Sequence, residues 1–318
     1  MLEGGIVIQF LYIVGDQTYY NHFNRGLMKI IPKKYIPTKR VKILEHILSS
    51  DGSIIGRVGG VFLNNLNLEK EELIEELVLA IGKLKDENTN RLIMEDLSLF
   101  NMDDLRLIER KTNLKIVNGI RVFIFFLPWV LREIYKNLNK SLKEKEVLII
   151  GDDEELTKQI IECLYKEIGF ITLAGDYEST IENISKYILE KTGLSIFYSK
   201  NLDKILGNYP IIINFKDNYY LNIGKLREKA IIFDFSMTKG LRDQINEGRR
   251  MVIVEDFLFL IDYLDIKENK FIKPIIPSYL YEQFNRLDSM DFAGLSIDGE
   301  CYSLNNFIDY QIKTKGRF

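Results

Sequence analysis

The sequence predicts an α/β protein with a doubly wound parallel sheet in its C-terminal part and a smaller α/β domain before it. Short apolar segments of strand length alternate with segments of helical period along the chain, and from residue 146 onward the strand segments are almost uniformly apolar. Parallel strands that are buried on both faces have this composition. A length of 318 residues suits about two domains. We therefore divide the chain into residues 1–139 and 140–318.

Strands and helices alternate in the N-terminal part. An apolar, β-branched run over residues 5–16 predicts the first strand. Val41, Leu44 and Leu48 then recur at helical spacing, which predicts a helix from a cap at Thr38 to about Leu48. The same two periodicities predict strands over residues 54–63, 91–97 and 114–117, and helices over residues 68–85, 103–112 and 121–138.

The composition argues against several classes of protein. With 43 Lys+Arg, 46 Asp+Glu and a net charge of −3, the chain lacks the basic excess of a typical nucleic-acid-binding protein. The two cysteines, Cys163 and Cys301, are 138 positions apart, and there are two histidines, so we expect neither a disulfide framework nor a metal site. No uninterrupted apolar run reaches the roughly 18–20 residues of a membrane helix. We expect a cytoplasmic protein without nucleic-acid or membrane partners.

Six further strands, separated by helices, are predicted after the long helix. Six such strands in alternation with helices describe a Rossmann sheet, whose ligands bind beside its first strand, at the carboxyl ends of the strands. The predicted strands cover residues 147–151, 170–174, 194–199, 209–215, 230–235 and 251–255.

The turn after the first of these strands lacks most of the glycines of a dinucleotide site. The G-x-G-x-x-G fingerprint has its glycines where this chain has Gly151, Asp153 and Leu156. Four consecutive carboxylates, Asp152 to Glu155, stand at the N-terminus of the next helix. Like charges about 4 Å apart repel by about 4 kcal/mol at an effective dielectric constant of about 20, more than the roughly 0.3–1 kcal/mol that a helix dipole contributes. The pattern disfavours ordinary pyrophosphate binding.

Three interpretations of this acidic cluster stay open. Asp152 or Asp153 caps the helix and no ligand is involved, or the site takes a different ligand such as an amine, a cation or a nucleoside without a diphosphate. In the third, NAD(P) binds in a shifted mode. Asp176 lies 25 residues after Gly151, near the offset at which a carboxylate bonds a ribose 2′-hydroxyl, and would favour NAD over NADP. It is equally well explained as a turn residue beside Gly175.

Several of these segments resemble the NAD(P)-binding domains of shikimate-dehydrogenase-like oxidoreductases, which include predicted amino-acid dehydrogenases and aldehyde-forming acyl-carrier-protein reductases. The resemblance is specific over about residues 147–236, and in layout it extends over residues 54–284. Residues 114–119 before the long helix are similar to the interdomain crossing of these families. The segments that carry it are residues 147–151, Asp176, residues 201–206 leading into 209–215, and residues 231–236.

This resemblance implies an NAD(P)-dependent oxidoreductase, with NAD as its cofactor and a small-molecule ligand in a cleft between the domains. It implies that a lysine and an aspartate face the nicotinamide; Asp96 could supply the carboxylate, and Lys216 is the best cationic candidate. Neither Cys163 nor Cys301 stands where thioester-forming relatives carry a nucleophile. The cofactor-binding residues that the resemblance implies are Gly151, Asp152, Asp153, Asp176, Asn214, Ser236 and Asn118.

Two alternatives to this function stay open. The chain is a degenerate relative that has lost dinucleotide binding and serves as a binding or scaffolding protein, with a homodimer as one form. In the second alternative it is a receiver-like module in which Asp152 and Asp153 hold a magnesium ion. That module needs a phosphoacceptor aspartate at the end of its third strand, and residues 194–200 contain none.

Overall fold

The computed structural model of the protein describes residues 9–23, 41–63, 68–227, 230–242, 244, 252–262, 264 and 266–309. The chain forms two compact units. The first unit consists of Met1–Asn118 and Ile261–Asn285, and the second consists of Gly119–Leu260 and Arg286–Phe318. These units divide the chain at points other than residue 139, and the extent of independently folding domains stays a prediction.

Strands and helices alternate along most of the chain. Residues 9–118 contain β1 (Gln9–Val14), α1 (Asp16–Phe23), β2 (Lys42–Leu48), β3 (Ile54–Gly60), α2 (Lys70–Leu84), β4 (Thr89–Met94), α3 (Met102–Thr112) and β5 (Lys115–Val117). Residues 119–260 contain α4 (Ile120–Asn137), β6 (Glu146–Gly151), α5 (Glu154–Leu164), β7 (Phe170–Gly175), α6 (Ile181–Thr192), β8 (Ile196–Tyr198), β9 (Ile211–Asn214), β10 (Ile231–Asp234), β11 (Val252–Val254) and β12 (Asp256–Leu260). The last elements are β13 (Ile275–Pro277), α7 (Ser278–Tyr281), β14 (Phe292–Ile297), β15 (Glu300–Tyr302) and α8 (Leu304–Asn306).

The first unit contains a five-stranded sheet in the order β2-β3-β1-β4-β5. Strands β1, β3, β4 and β5 are parallel, and β2 runs antiparallel to β3 at the edge. The central strand β1 is almost entirely buried, as its apolar sequence predicts. Residues 5–8 of the predicted first strand lie outside the described residues.

The helix predicted over residues 38–48 is wrong, because residues 42–48 form strand β2. The reason is the hairpin that joins β2 to β3. Its turn is closed by a hydrogen bond from the Ser49 N–H to the Ser53 carbonyl oxygen of 2.9 Å, and Gly52 supplies a φ of +92° that side chains disfavour. Pairing with β3 therefore overrides the helical spacing of Leu44 and Leu48. The predicted cap, Thr38, lies outside the described residues.

The second unit contains a six-stranded parallel sheet in the order β11-β10-β9-β6-β7-β8. Numbered within the sheet, this is the order 3-2-1-4-5-6 of the Rossmann fold. All six predicted strands are present, although short 3-10 turns replace the helices expected after β8 and β9. The fold class predicted from the sequence is confirmed. Because the strands are parallel, the residues that follow them meet at one edge.

The C-terminal residues add strands that the sequence analysis did not predict. β14 pairs antiparallel with β12 and with β15. Phe126 of α4 packs its ring 5.0 Å from that of Phe259 on β12, and Trp129 lies 5.1 Å from Phe292 on β14. This aromatic cover accounts for the strongly apolar sequence of α4. Among the described residues, none of the helices is both long and apolar enough to cross a membrane.

Candidate functional site

The candidate site is the edge of the second unit at which the parallel strands end. We call it the carboxyl edge and define it by the residues that end or follow four strands. Gly151 to Asp153 follow β6, Gly175 to Tyr177 follow β7, Asn214 to Lys216 follow β9, and Asp234 to Ser236 follow β10. This is the edge at which Rossmann domains bind their ligands. Six of the residues predicted from sequence to bind the cofactor lie here.

Lys216 links the ends of three strands. Its Nζ atom lies 3.3 Å from an Asp152 carboxylate oxygen and forms a shorter ion pair with Asp176. The lysine side chain is 16% exposed, against 49% for Asp152 and 75% for Asp176. Burial opposes the ammonium charge, but the hydrogen bond to Asp176 and the charge of Asp152 outweigh it and raise the pKa of Lys216. The positive charge beside Asp152 and Asp176 is thus supplied by a side chain of the protein, Lys216.

Replacing Lys216 by methionine is expected to lower the free energy of unfolding by about 0.5–1 kcal/mol near neutral pH, because both carboxylates are partly solvated. The pKa of Lys216 is raised in the folded protein, so its stabilisation is fully present below the unfolded value of about 10.4 and is lost as the pH rises through the folded value. Urea unfolding at pH 7, 9 and 11 measures this. The control is Lys200→Met, which removes a more exposed pair with Glu178. A Lys216→Met loss that is unchanged at pH 11 would contradict the expectation.

Asp153 is the N-cap residue of α5. Its carboxylate accepts a hydrogen bond of 2.8 Å from the Leu156 N–H, and the Thr157 hydroxyl donates 2.7 Å to the Asp153 carbonyl oxygen. Capping of this kind satisfies one of the main-chain donors that a phosphate group at a helix N-terminus would use. The side chain at the second fingerprint position therefore binds a main-chain donor in the first turn of this helix.

Tyr177 closes the space beside Gly151. Its side chain is fully buried, and its hydroxyl lies 2.6 Å from the Thr157 hydroxyl on α5. A Cβ atom on Gly151 would overlap the Tyr177 hydroxyl, so the glycine permits close approach of a tyrosine. The loop is held by a 3.1 Å hydrogen bond from the Asp176 N–H to the Gly151 carbonyl oxygen. Burial raises the pKa of Tyr177, which keeps the phenol protonated.

Tyr177→Phe is expected to lower the free energy of unfolding by about 0.5–1.5 kcal/mol, because one buried hydrogen bond is lost while Thr157 keeps its bond to Asp153. Tyr198→Phe is the control, since its hydroxyl makes a longer, less buried bond of 3.2 Å to Gly175. Urea unfolding followed by circular dichroism compares the two. Equal losses of unfolding free energy in the two variants would show that the hydrogen bond between Tyr177 and Thr157 contributes no more than that of Tyr198.

Asn214, Asp234 and Ser236 form one buried network. The Asn214 amide donates 2.8 Å to an Asp234 carboxylate oxygen, which also accepts 2.7 Å from the Ser236 hydroxyl. The other carboxylate oxygen accepts 3.1 Å from the Leu241 N–H. All three side chains are at most 2% exposed. The structure brings Asn214 and Ser236 together, with their side chains bonded to Asp234.

Lys239 lies in the loop that follows β10. Its Nζ donates a 3.0 Å hydrogen bond to the Asp234 carbonyl oxygen and lies 5.8 Å from the ring centroids of Phe123 and Phe235. Burial of the ammonium lowers the pKa of Lys239 more than the nearby carboxylates of Asp256 and Asp234 raise it. The pKa of Lys239 is thus shifted in the direction opposite to that of Lys216.

The remaining predicted residues belong to the first unit. Asp96 follows β4, and its carboxylate accepts hydrogen bonds of 2.9 and 2.6 Å from the N–H and hydroxyl of Ser98. It lines, with Gly15 and Asp16, a pocket of about 10 Å³, about the volume that one water molecule needs. Asn118 is the last residue of this unit before α4.

Neither cysteine has the properties of a nucleophile. The Cys163 thiol on α5 donates to the Ile160 carbonyl oxygen at 3.1 Å, and burial raises its pKa to about 12. Burial also raises the pKa of Cys301, which lies on β15. A low pKa is what makes a thiol reactive. In the part of the chain that the structure describes, no three His, Cys, Asp or Glu side chains group as metal ligands would.

Sequence reasoning missed three residues of this edge: Tyr177, Asp234 and Lys239. The signal for Asp234 was present, since a carboxylate within the apolar run of residues 230–235 must be paired when it is buried. The signal for Tyr177 was weaker, because an aromatic residue after a predicted turn does not indicate what it covers. The surroundings of Lys239 could not be predicted, since one of the two rings beside it, Phe123, is distant in sequence.

The known proteins to which this chain is similar are solved structures, all at low sequence identity. No family model matches the sequence, and no curated protein is significantly similar to it. L-tryptophan dehydrogenase from Nostoc punctiforme is 12% identical, with 78% of this chain and 69% of that chain covered and a TM-score of 0.34. Shikimate 5-dehydrogenase from Listeria monocytogenes, in complex with shikimate and NAD, is 11% identical over 74% of this chain and 80% of that chain, with a TM-score of 0.32.

A third similar structure matches a much smaller part of this chain. Δ1-pyrroline-2-carboxylate reductase from Thermococcus litoralis, in complex with NADH and L-proline, is 13% identical over 36% of each chain, with a TM-score of 0.29. The matched region thus spans about a third of that reductase. Identities and TM-scores at this level transfer no activity to the present chain, and the Rossmann assignment of the second unit follows from its strand order.

Proposed function

We propose that this protein is a binding protein of Rossmann architecture that has lost ordinary dinucleotide binding. The observation that carries this proposal is the position of Lys216, whose ammonium is bound by Asp152 and Asp176 at the ends of β6 and β7. In a dinucleotide-binding Rossmann domain, the pyrophosphate lies over the end of the first strand, and a carboxylate after the second strand bonds the ribose. In this protein, Asp152 after β6 and Asp176 after β7 both bind the ammonium of Lys216.

The charge of the edge supports the same proposal. Asp152 to Glu155 and Asp176 contribute five carboxylates near the start of α5, against two ammonium groups from Lys158 and Lys216. A pyrophosphate would therefore meet excess negative charge at a helix end whose Leu156 N–H already has a partner. The repulsion exceeds what the helix dipole contributes.

The test is a thermal-shift titration of the full chain with NADH and with NADPH. A Kd of about 10 µM would stabilise the fold by about 2.7 kcal/mol at a ligand concentration of about 1 mM. We expect no shift in Tm with either nucleotide. AMP, which lacks the diphosphate bridge, is the comparison compound, because stabilisation by AMP alone would favour a nucleoside ligand. A shift with NADH that saturates in the micromolar range would contradict the proposal.

An NAD-dependent oxidoreductase is the second candidate function. The observation that favours it is Asp176, whose carboxylate follows β7 directly and is largely exposed, as a ribose-binding carboxylate must be. In that function Lys216 would have to leave Asp176 when NAD binds. Stabilisation by NADH that exceeds stabilisation by NADPH would support this candidate, since the 2′-phosphate of NADPH would meet the charge of Asp176.

A further inference from the structure

A groove of about 500 Å³ lies on the second unit, between α4 and the segment that leads into β14. Its volume is within the roughly 300–1,000 Å³ of small-molecule sites. The residues that define the carboxyl edge are not among those that line it, so the two sites are distinct. We call it the α4 groove and define it by six lining residues: Phe125, Trp129 and Arg132 on α4, and Leu287, Asp288 and Ser289 before β14.

The α4 side of the groove is one face of the helix. Phe125, Trp129 and Arg132 are separated by four and three positions, so their side chains project from the same side of α4. With a rise of about 1.5 Å per residue, the distance along the helix from Phe125 to Arg132 is about 10 Å. The groove thus has an aromatic end at Phe125 and a cationic end at Arg132.

The floor of the groove is fixed by contacts between aromatic rings. The rings of Phe126 and Trp129 lie 5.9 and 5.1 Å from that of Phe292 on β14. Phe125 packs its ring 5.1 Å from that of Phe126, but the residue is 50% exposed, and Leu287 on the other side of the groove is 37% exposed. Apolar side chains that line a concave surface and stay exposed are stabilised when an apolar group covers them.

Arg132 has hydrogen-bond donors available at the groove. Its Nη1 donates 3.1 Å to a Glu167 carboxylate oxygen, which orients the guanidinium, and the side chain is 51% exposed. Among the described residues, no group accepts a hydrogen bond from Nη2 or Nε of Arg132, and none bonds the Ser289 hydroxyl. A guanidinium presents its N–H groups in a planar fork that matches the two oxygens of a carboxylate.

The other charged groups near the groove favour a ligand with a single negative charge. Asp288 lies 3.4 Å from the Arg286 guanidinium and accepts 2.9 Å from the Met290 N–H, and Glu167 is bound by Arg132. Both carboxylates have a cationic partner, but a doubly charged phosphate would be repelled by them twice as strongly as a carboxylate. A monocarboxylate brings one charge, which the guanidinium of Arg132 balances.

From this geometry we infer that the α4 groove binds a small monocarboxylate with an apolar body about 10 Å long. The carboxylate accepts hydrogen bonds from Nη2 and Nε of Arg132, and the apolar body covers Phe125 and Trp129. No covalent step is involved. This inference goes beyond the proposed function and does not depend on it, because nucleotide titration concerns the carboxyl edge, so either result can fail while the other holds.

The test uses Trp129, the single tryptophan of the chain, as the reporter. Phenylbutyrate is titrated into the full chain, and tryptophan fluorescence is recorded. Phenylbutyramide is the comparison compound, since it has the same shape without the charge. We expect a saturable change in fluorescence with a Kd of about 0.1 mM for phenylbutyrate. The amide should bind about fivefold more weakly or worse, because hydrogen bonds between charged groups are stronger than those to a neutral acceptor.

Two arginine variants identify the binding group. Arg132→Met should weaken phenylbutyrate binding to the level of the amide, since it keeps an unbranched apolar side chain and removes the guanidinium. Arg121→Met is the matched control, because Arg121 is an exposed arginine in the first turn of α4, about 16 Å away along the helix. It should leave the Kd unchanged.

The comparison of the two compounds on the wild-type protein decides the matter even if a variant does not fold. Equal binding of phenylbutyrate and phenylbutyramide would overturn the inference, and so would the absence of a saturable change up to about 1 mM, ten times the expected Kd. Equal weakening in Arg121→Met and Arg132→Met would also overturn it.

Discussion

Gly175→Ala is expected to lower the free energy of unfolding by about 2–5 kcal/mol. Gly175 has a φ of +112°, which side chains rarely adopt, and a Cβ atom there would overlap the main-chain carbonyl oxygen of Gly151. Backbone strain of this kind costs about 1–3 kcal/mol, and overpacking adds about 1–3 kcal/mol. The main chain of β6 is paired on both sides, so it cannot move aside as a flexible side chain would.

Gly193→Ala is the matched control for this substitution. Gly193 ends α6 with a φ of +75°, but no atom lies within 4 Å of the position of its Cβ. It should therefore show the strain of a left-handed residue, about 1–2 kcal/mol, without the overlap. Urea unfolding of both variants, followed by circular dichroism, separates the two contributions. Equal losses in the two variants would show that β6 and the loop after β7 are not in close contact.

Asp234→Ala is expected to lower the free energy of unfolding by about 3–5 kcal/mol. The substitution removes the acceptor of the Ser236 hydroxyl and of the Leu241 N–H, and one of the two acceptors of the Asn214 amide, which keeps its 3.1 Å bond to the Lys216 carbonyl oxygen. Each unsatisfied buried group costs about 1–3 kcal/mol, and part of this is recovered because a buried carboxylate is no longer desolvated. The loop between β10 and Leu241, which contains Lys239, should loosen as well.

The control for this prediction is Asp203→Ala. Asp203 pairs with Lys225 at 2.8 Å, and both side chains are about half exposed. Exposed pairs contribute little to stability, so the control should leave the urea midpoint nearly unchanged. If Asp234→Ala shifts the midpoint no more than Asp203→Ala, the network at the end of β10 is not a stabilising feature of the sheet.

The Rossmann unit could be predicted from sequence because its strands are apolar on both faces. β9 consists of consecutive buried residues, and so does β6 after its exposed first residue, Glu146; this pattern needs no knowledge of the rest of the chain. β2 could not be predicted in the same way, since Leu44 and Leu48 fit a helix until the turn at Gly52 brings the segment against β3. The strands after residue 256 were missed because short antiparallel strands carry little periodicity of their own.

The candidate site was predictable in its location but not in its chemistry. Gly151, Asp153 and Asp176 were found from their places in the fingerprint, and the charge argument against a pyrophosphate follows from sequence alone. The sequence does not show which side chain each of these residues contacts. That Lys216 reaches Asp152 and Asp176, and that Tyr177 covers Gly151, depends on the loops after two different strands meeting at one edge.

We propose that side chains of the protein itself occupy the position at the carboxyl edge where a dinucleotide would bind. NADH titration followed by the amide signals of the protein labelled with 15N-glycine tests this most directly. Gly151 and Gly175 report on the carboxyl edge, and Gly82 on α2, where no atom lies within 4 Å of its Cβ position, serves as the reference. The predicted result is that the Gly151 and Gly175 signals move no more than that of Gly82 up to about 1 mM NADH, a concentration about 100 times a Kd of 10 µM. Saturable movement of the Gly151 and Gly175 signals alone would contradict the claim.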